Sequence, residues 1–139
     1  MKWTLVLLAL LGLAIVPAAH AQGAAGAAAA VEPDSLLKHW LRNLVVAQEK
    51  YFSEHGTYTT ELSVLGMNAK PRSVNMTVVQ AGGRSWWGLA TALSSGSAPG
   101  RREKSCVIWV GTSTDFTAPP ATARKTQARD EGAPACDPS

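Results

Sequence analysis

The chain has 139 residues, 46% of them hydrophobic and 17% charged, with a formal net charge of +3. That length holds one modest domain rather than two, and a charge so near neutral gives no general drive toward nucleic acid or acidic membranes. The hydrophobic fraction is inflated by the first thirty residues, so the folded part is more polar than the figure suggests.

The N-terminus reads as a processing signal. Lys2 supplies a positive start, Trp3 to Val16 is an almost unbroken apolar run, Pro17 ends it, and Ala19-His20-Ala21 fits the small-x-small cleavage rule. Cleavage is expected after Ala21, which makes residues 1–21 a signal peptide. Only Lys2 is lost with it, leaving 12 basic and 10 acidic side chains, a net +2. The run is short of the ~20 residues that a membrane span needs, so no stable span is expected after cleavage. An uncleaved anchor is the alternative. No cysteine follows the run, which argues against a lipid anchor. The expected location is the periplasm or the exterior of a bacterial cell. In that oxidising setting Cys106 and Cys136 are expected to form one disulfide, closing a loop of about 31 residues; two free thiols are the alternative.

Gln22 to Val31, QGAAGAAAAV, is low-complexity Ala/Gly and reads with Glu32 and Pro33 as a linker, a helical extension being the alternative. The folded domain is expected over residues 34–139. Pro33 suits a helix start, and Asp34 or Ser35 can accept a bond from the first backbone N–H groups. Leu37, Leu41, Leu44, Gln48 and Tyr51 then recur at helical spacing, with Trp40 and Phe52 widening the stripe. The helix should run from Asp34 to His55, and Gly56 is placed to end it in the left-handed conformation. Tyr58, Leu62 and Leu65 are spaced to tuck a short turn against the helix end.

The remainder reads as strands. Ser73 to Gln80 has Val74, Met76 and Val78 on one face. Ala81-Gly82-Gly83-Arg84 is a hairpin connection. Ser85 to Leu93 forms a second strand, residues 94–104 a polar loop, and Ser105 to Gly111 a third strand. The tail beyond has four prolines and no sustained period, and Cys136 is expected to pin it to the third strand. The predicted fold class is α+β: one long N-terminal helix packed on a three-strand antiparallel meander, with a disulfide-tied C-terminal tail.

These parts in this order resemble a known family. AQEKYFSEHGTYTTELSVLG (Ala47 to Gly66) is similar to the exit from the long helix of type IV pilins and pseudopilins. Ser85 to Gly111 resembles the sheet of that family, and a last-strand cysteine paired with one near the C-terminus resembles its disulfide-bounded region. The resemblance covers about residues 34–137. It departs at the start: Gly12 to Val16 is followed by Pro17 where the family has a glutamate, and the family's apolar half-helix is missing. The resemblance therefore implies a headpiece without the usual means of polymerising, and a protein partner in a pilus or type II secretion assembly.

No catalytic set emerges, no cofactor is called for, and the protein is expected not to be an enzyme. His39 and His55 are poorly spaced for a metal, so no metal site is expected. Gly96 to Gly100 lacks the order of a nucleophile elbow. A small secreted hydrolase would need Ser97 or Ser113 within reach of a histidine. Glu54 and Glu61 have no cleft beside them, and Gly82-Gly83 is a turn. Trp86 and Trp87 must point to opposite faces of their strand. Which of the two faces the helix is left open; one arrangement puts Trp87, with Leu89 and Leu93, on the helix side. That leaves Trp86, beside Gly88 and Ala90, on the other face, either covered by the tail or by Trp109, or exposed as an aromatic contact. Arg101, Arg102 and Lys104 form one small basic loop, and Arg124, Lys125 and Arg129 another. Converging, they would suit nucleic acid or another polyanion; interrupted by Glu103, Asp130 and Glu131, they read better as solvated loops. The expected binding surface is the loop bounded by Cys106 and Cys136, with Trp86 as its contact.

Overall fold

The computed structural model describes residues 32–92 and 103–138. The expected signal peptide, the Ala/Gly segment to Val31, Leu93, Ser97 and the basic pair Arg101 and Arg102 lie outside the described residues.

Helix α1 spans Pro33–His55. Pro33 stands in its first turn, where a missing N–H costs nothing. Neither Asp34 nor Ser35 caps it: Glu32 is the cap residue and makes no side-chain cap bond. Asp34 instead reaches Lys104, whose Nζ lies 3.3 Å from its carboxylate. Gly56 ends the helix with φ 71°, its N–H bonded to the Phe52 carbonyl at 2.7 Å. The expected stripe is the buried one: Leu37, Leu41, Leu44 and Gln48 have no exposed surface. Each buried leucine contributes roughly 1.5–3 kcal/mol of transfer free energy.

Four antiparallel strands follow in sequence order: β1 Val74–Gly82, β2 Ser85–Ala92, β3 Ser105–Val110 and β4 Ala135–Cys136. The three-strand expectation is corrected to four. The two residues of β4 are too few to show a period, and the Cys106–Cys136 disulfide sets them directly opposite Cys106 and Val107. The β1–β2 turn is tighter than expected, just Gly83 and Arg84, with Gly82 paired to Ser85.

The register assigns the two faces. Val74, Met76, Val78 and Ala81 of β1 stand opposite Ala92, Ala90, Gly88 and Trp86 of β2, and these face α1. A bulge at Val79 lets Ala81 rejoin the inner face. Trp86 is therefore inside, with no exposed surface, among Leu37, Leu41, Leu44, Tyr58 and Ile108. Trp87 is on the opposite face with Val107, Trp109, Phe116 and Ala128. The face of each, left open by the sequence, is thus settled, and Trp86 as an exposed aromatic contact is corrected. The reason is close approach. A Cβ on Gly88 would sit 3.0 Å from the Thr77 carbonyl oxygen and 3.4 Å from Leu44 Cδ2. Small residues at positions 88 and 90 mark where the helix comes down on the sheet, and Trp86 fills the space beside them.

The connection after α1 closes the core. Tyr58 stacks at 4.7 Å on Phe52 and at 6.4 Å from Trp86, and Leu62 and Leu65 pack on the same cluster. Gln48 holds the backbone there: its Nε2 donates to Thr59 O at 2.6 Å and its Oε1 accepts from Thr59 N–H at 3.2 Å. Among the described residues no helix is long and apolar enough to cross a membrane.

Candidate functional site

The outer face of the sheet, away from α1, is covered by the segment that the disulfide bounds. Its first anchor is a turn at the end of β3. Gly111 has φ 98°, and a Cβ there would run into the Arg84 carbonyl and lie 2.6 Å from Ser85 Oγ, so the turn requires glycine. Ser85 Oγ accepts from Thr112 N–H at 2.9 Å and donates to Asp115 Oδ2 at 2.5 Å. Gln80 fastens the next residues, accepting from Thr117 N–H and Oγ1, both at 3.2 Å.

The second anchor is Asp137, which is 2% exposed. Its carboxylate accepts from Ser105 Oγ at 2.5 Å, from Thr126 Oγ1 at 2.9 Å and from Thr122 Oγ1. Arg124 Nε stands 4.0 Å away. Burial pushes this carboxyl up, but the three hydroxyls and the Arg124 charge outweigh it and hold it below the usual carboxylate range. Its own N–H bonds to Ser105 O at 2.9 Å, extending the β3 pairing by one residue. Nothing in the sequence spacing marks Asp137; it only follows a cysteine.

Two cations from the two predicted basic loops do converge, but on the chain itself. Lys104 Nζ donates to Asp137 O at 3.1 Å, and Arg124 donates to Pro138 O at 3.2 Å and Glu103 O at 3.4 Å. They clamp residues 137 and 138 rather than present a joint surface. Lys125 and Arg129 are exposed.

Between these anchors lies a cavity of about 450 Å³, whose lining includes Trp109, Phe116, Pro119, Pro120, Ala128 and Arg129. Its volume falls in the range of small-ligand and side-chain pockets. Trp109 and Phe116 meet edge to face at 6.5 Å. The indole Nε1–H of Trp109 donates to Ala128 O at 3.0 Å, which fixes the ring as a wall. Among the described residues of the lining, Arg129 is the one with a charged side chain. The arrangement is suited to an apolar group that carries a negative charge or an acceptor near it. The cavity lies in the loop that the two cysteines bound, its lining includes Trp109 but not the buried Trp86, and Phe116 and Pro120 read in the sequence as irregular tail.

The remaining candidates are placed apart. His39 faces Asn43 at 3.1 Å, and His55 stacks on Tyr51 at 4.0 Å with Nδ1 3.0 Å from Tyr51 O. Among the described residues no three His, Cys, Asp or Glu side chains are grouped to hold a metal. Ser85 and Ser105 give their hydroxyl protons to carboxylates, and the side chain of Ser113 lies outside what the structure describes. Neither the family models nor the curated proteins searched include a match to this chain.

Proposed function

We propose that the chain is an exported, non-catalytic, pilin-like head domain that recognises a protein of a pilus or type II secretion assembly through its disulfide-bounded loop. The observation that carries this reading is the placement of the groove. It lies on the sheet face opposite the helix, inside the segment fastened by Cys106–Cys136 and Asp137. A segment held at both ends loses little further entropy when a partner binds, which favours recognition over a mobile tail. One helix on an antiparallel sheet in sequence order, closed by a disulfide, also supports the family resemblance. In this reading Trp109, Phe116 and Arg129 take the contact role first given to Trp86.

Photo-crosslinking in the producing bacterium tests it. A photoreactive residue at position 116 or 129 is expected to capture a pilus or secretion component, and one at Val46 or Val64, exposed on other surfaces, is not. Capture from positions 46 and 64 alone, or capture of nothing from the groove, would overturn the proposal.

A further inference from the structure

Among the described residues, the sheet has one covered edge and one open edge. On the β3 side, β4 pairs with Cys106 and Val107, Asp137 N–H bonds to Ser105 O, and Gly132 N–H bonds to Trp109 O at 2.8 Å. On the β1 side, hydrogen-bond parity shows which groups point outward. Ala92 N–H bonds to Lys104 O at 2.9 Å, so Ala92, Ala90, Gly88 and Trp86 exchange bonds with β3. The alternate residues Ser85, Trp87, Leu89 and Thr91 therefore bond to Gly82, Gln80, Thr77 and Asn75 of β1. The two-residue turn requires the same parity, because it closes on a bonded Gly82–Ser85 pair. Val74, Met76, Val78 and Ala81 are left with their backbone groups facing away from the sheet.

Val74 uses its groups locally, donating to Pro71 O at 3.0 Å and accepting from Lys70 Nζ at 2.8 Å. No described residue bonds to the outward N–H or C=O of Met76, Val78 or Ala81. Strand edges are normally blunted by charge, proline or a bulge. Here Val74–Gly82 holds no charged residue and no proline, and the bulge at Val79 leaves the stretch before it regular. The charges stand outside the strand, and all have one sign: Lys70, Arg72 and Arg84 flank it, and no Asp or Glu occurs from Leu62 to Arg102. Asp115, which the fold brings near Gln80, has its carboxylate on Ser85 Oγ.

We propose that the β1 edge accepts an extended segment of another protein as an added strand, one whose uncharged stretch is flanked by carboxylates. Backbone pairing to Met76 and Val78 supplies the registration, and the flanking cations select the segment. A second copy of this chain is a poor occupant, since it brings the same cations and no acid to meet them. This proposal does not rest on the groove, which lies on the outer face.

The test uses the isotope-labelled full chain and two peptides as long as β1. Each has alternating Thr and Val at its centre, one flanked by glutamates and the other by lysines. The glutamate peptide should shift the Met76, Val78 and Ala81 amides saturably and slow their exchange, weakening about tenfold from low to physiological salt. Arg72→Glu with Arg84→Glu should transfer the preference to the lysine peptide; should the pair fail to fold, Arg72→Glu alone, at an exposed position, should abolish the preference. Equal binding of both peptides, shifts confined to Phe116 and Arg129, absence of binding, or protection of the edge amides by self-association without peptide would each overturn it.

Discussion

Gln48 lies in a row of leucines with no exposed surface, yet its amide bonds the helix to the loop after it. Replacing it with leucine preserves volume and leaves the Thr59 N–H and C=O unpaired. Gln48→Leu should cost about 1–3 kcal/mol in urea denaturation, and an unchanged midpoint would contradict this account. Two titrations belong to the same scale. The Asp137 carboxyl is depressed in the folded chain, so its stabilisation is present above the unfolded value near 4 and is lost as pH falls through the lower folded value. Asp137→Asn should flatten that acid limb and lower stability at neutral pH. Tyr58 moves the other way: burial, with the bonded and charged Glu49 beside it, pushes its hydroxyl up to about 12. Its contribution is complete below pH 10 and is lost between about 10 and 12, so thermal melts of Tyr58→Phe should lose less stability across that range than those of the wild type. The leucine stripe and Gln48 were legible from spacing alone. Asp137 was not, because its partners Ser105, Thr122 and Thr126 are distant in sequence.

At the scale of elements, the ends of α1 and the three longer strands were readable because proline, glycine and alternating valines are local signals. The face of β2 was not. Alternation put Trp86 and Trp87 on opposite faces without saying which meets the helix, and the helix seats on Gly88 and Ala90, on the Trp86 side. Close approach of two backbones is a tertiary fact, and small residues on a strand are ambiguous until the partner is known. Gly88→Val should therefore destabilise by about 1–3 kcal/mol through overpacking against Leu44 and the Thr77 carbonyl. Thr77→Val, exposed on the other face of β1, should change stability by no more than about 0.5 kcal/mol. Thermal melts of both variants check the pair; equal effects would mean that α1 does not rest on Gly88. β4 escaped notice for a different reason: its two residues become a strand only because a disulfide and Asp137 hold them there.

In the molecule as a whole, one sheet is covered on two sides, by α1 on the Trp86 face and by the fastened tail on the Trp87 face. The disulfide should supply roughly 3–4 kcal/mol by the chain-entropy estimate for this loop length. Asp137, Ser85 and Gln80 anchor the same segment without it. Hydrogen–deuterium exchange of the full chain, oxidised and then reduced, reads this directly. In the oxidised protein residues 112–134 should show protected amides, notably Thr117, Thr122 and Gly132, and reduction should speed their exchange while α1 and the β1–β2 hairpin stay slow. Free exchange of residues 112–134 in the oxidised protein would mean that the tail is no fixed surface, and the recognition role assigned to it would fall with it.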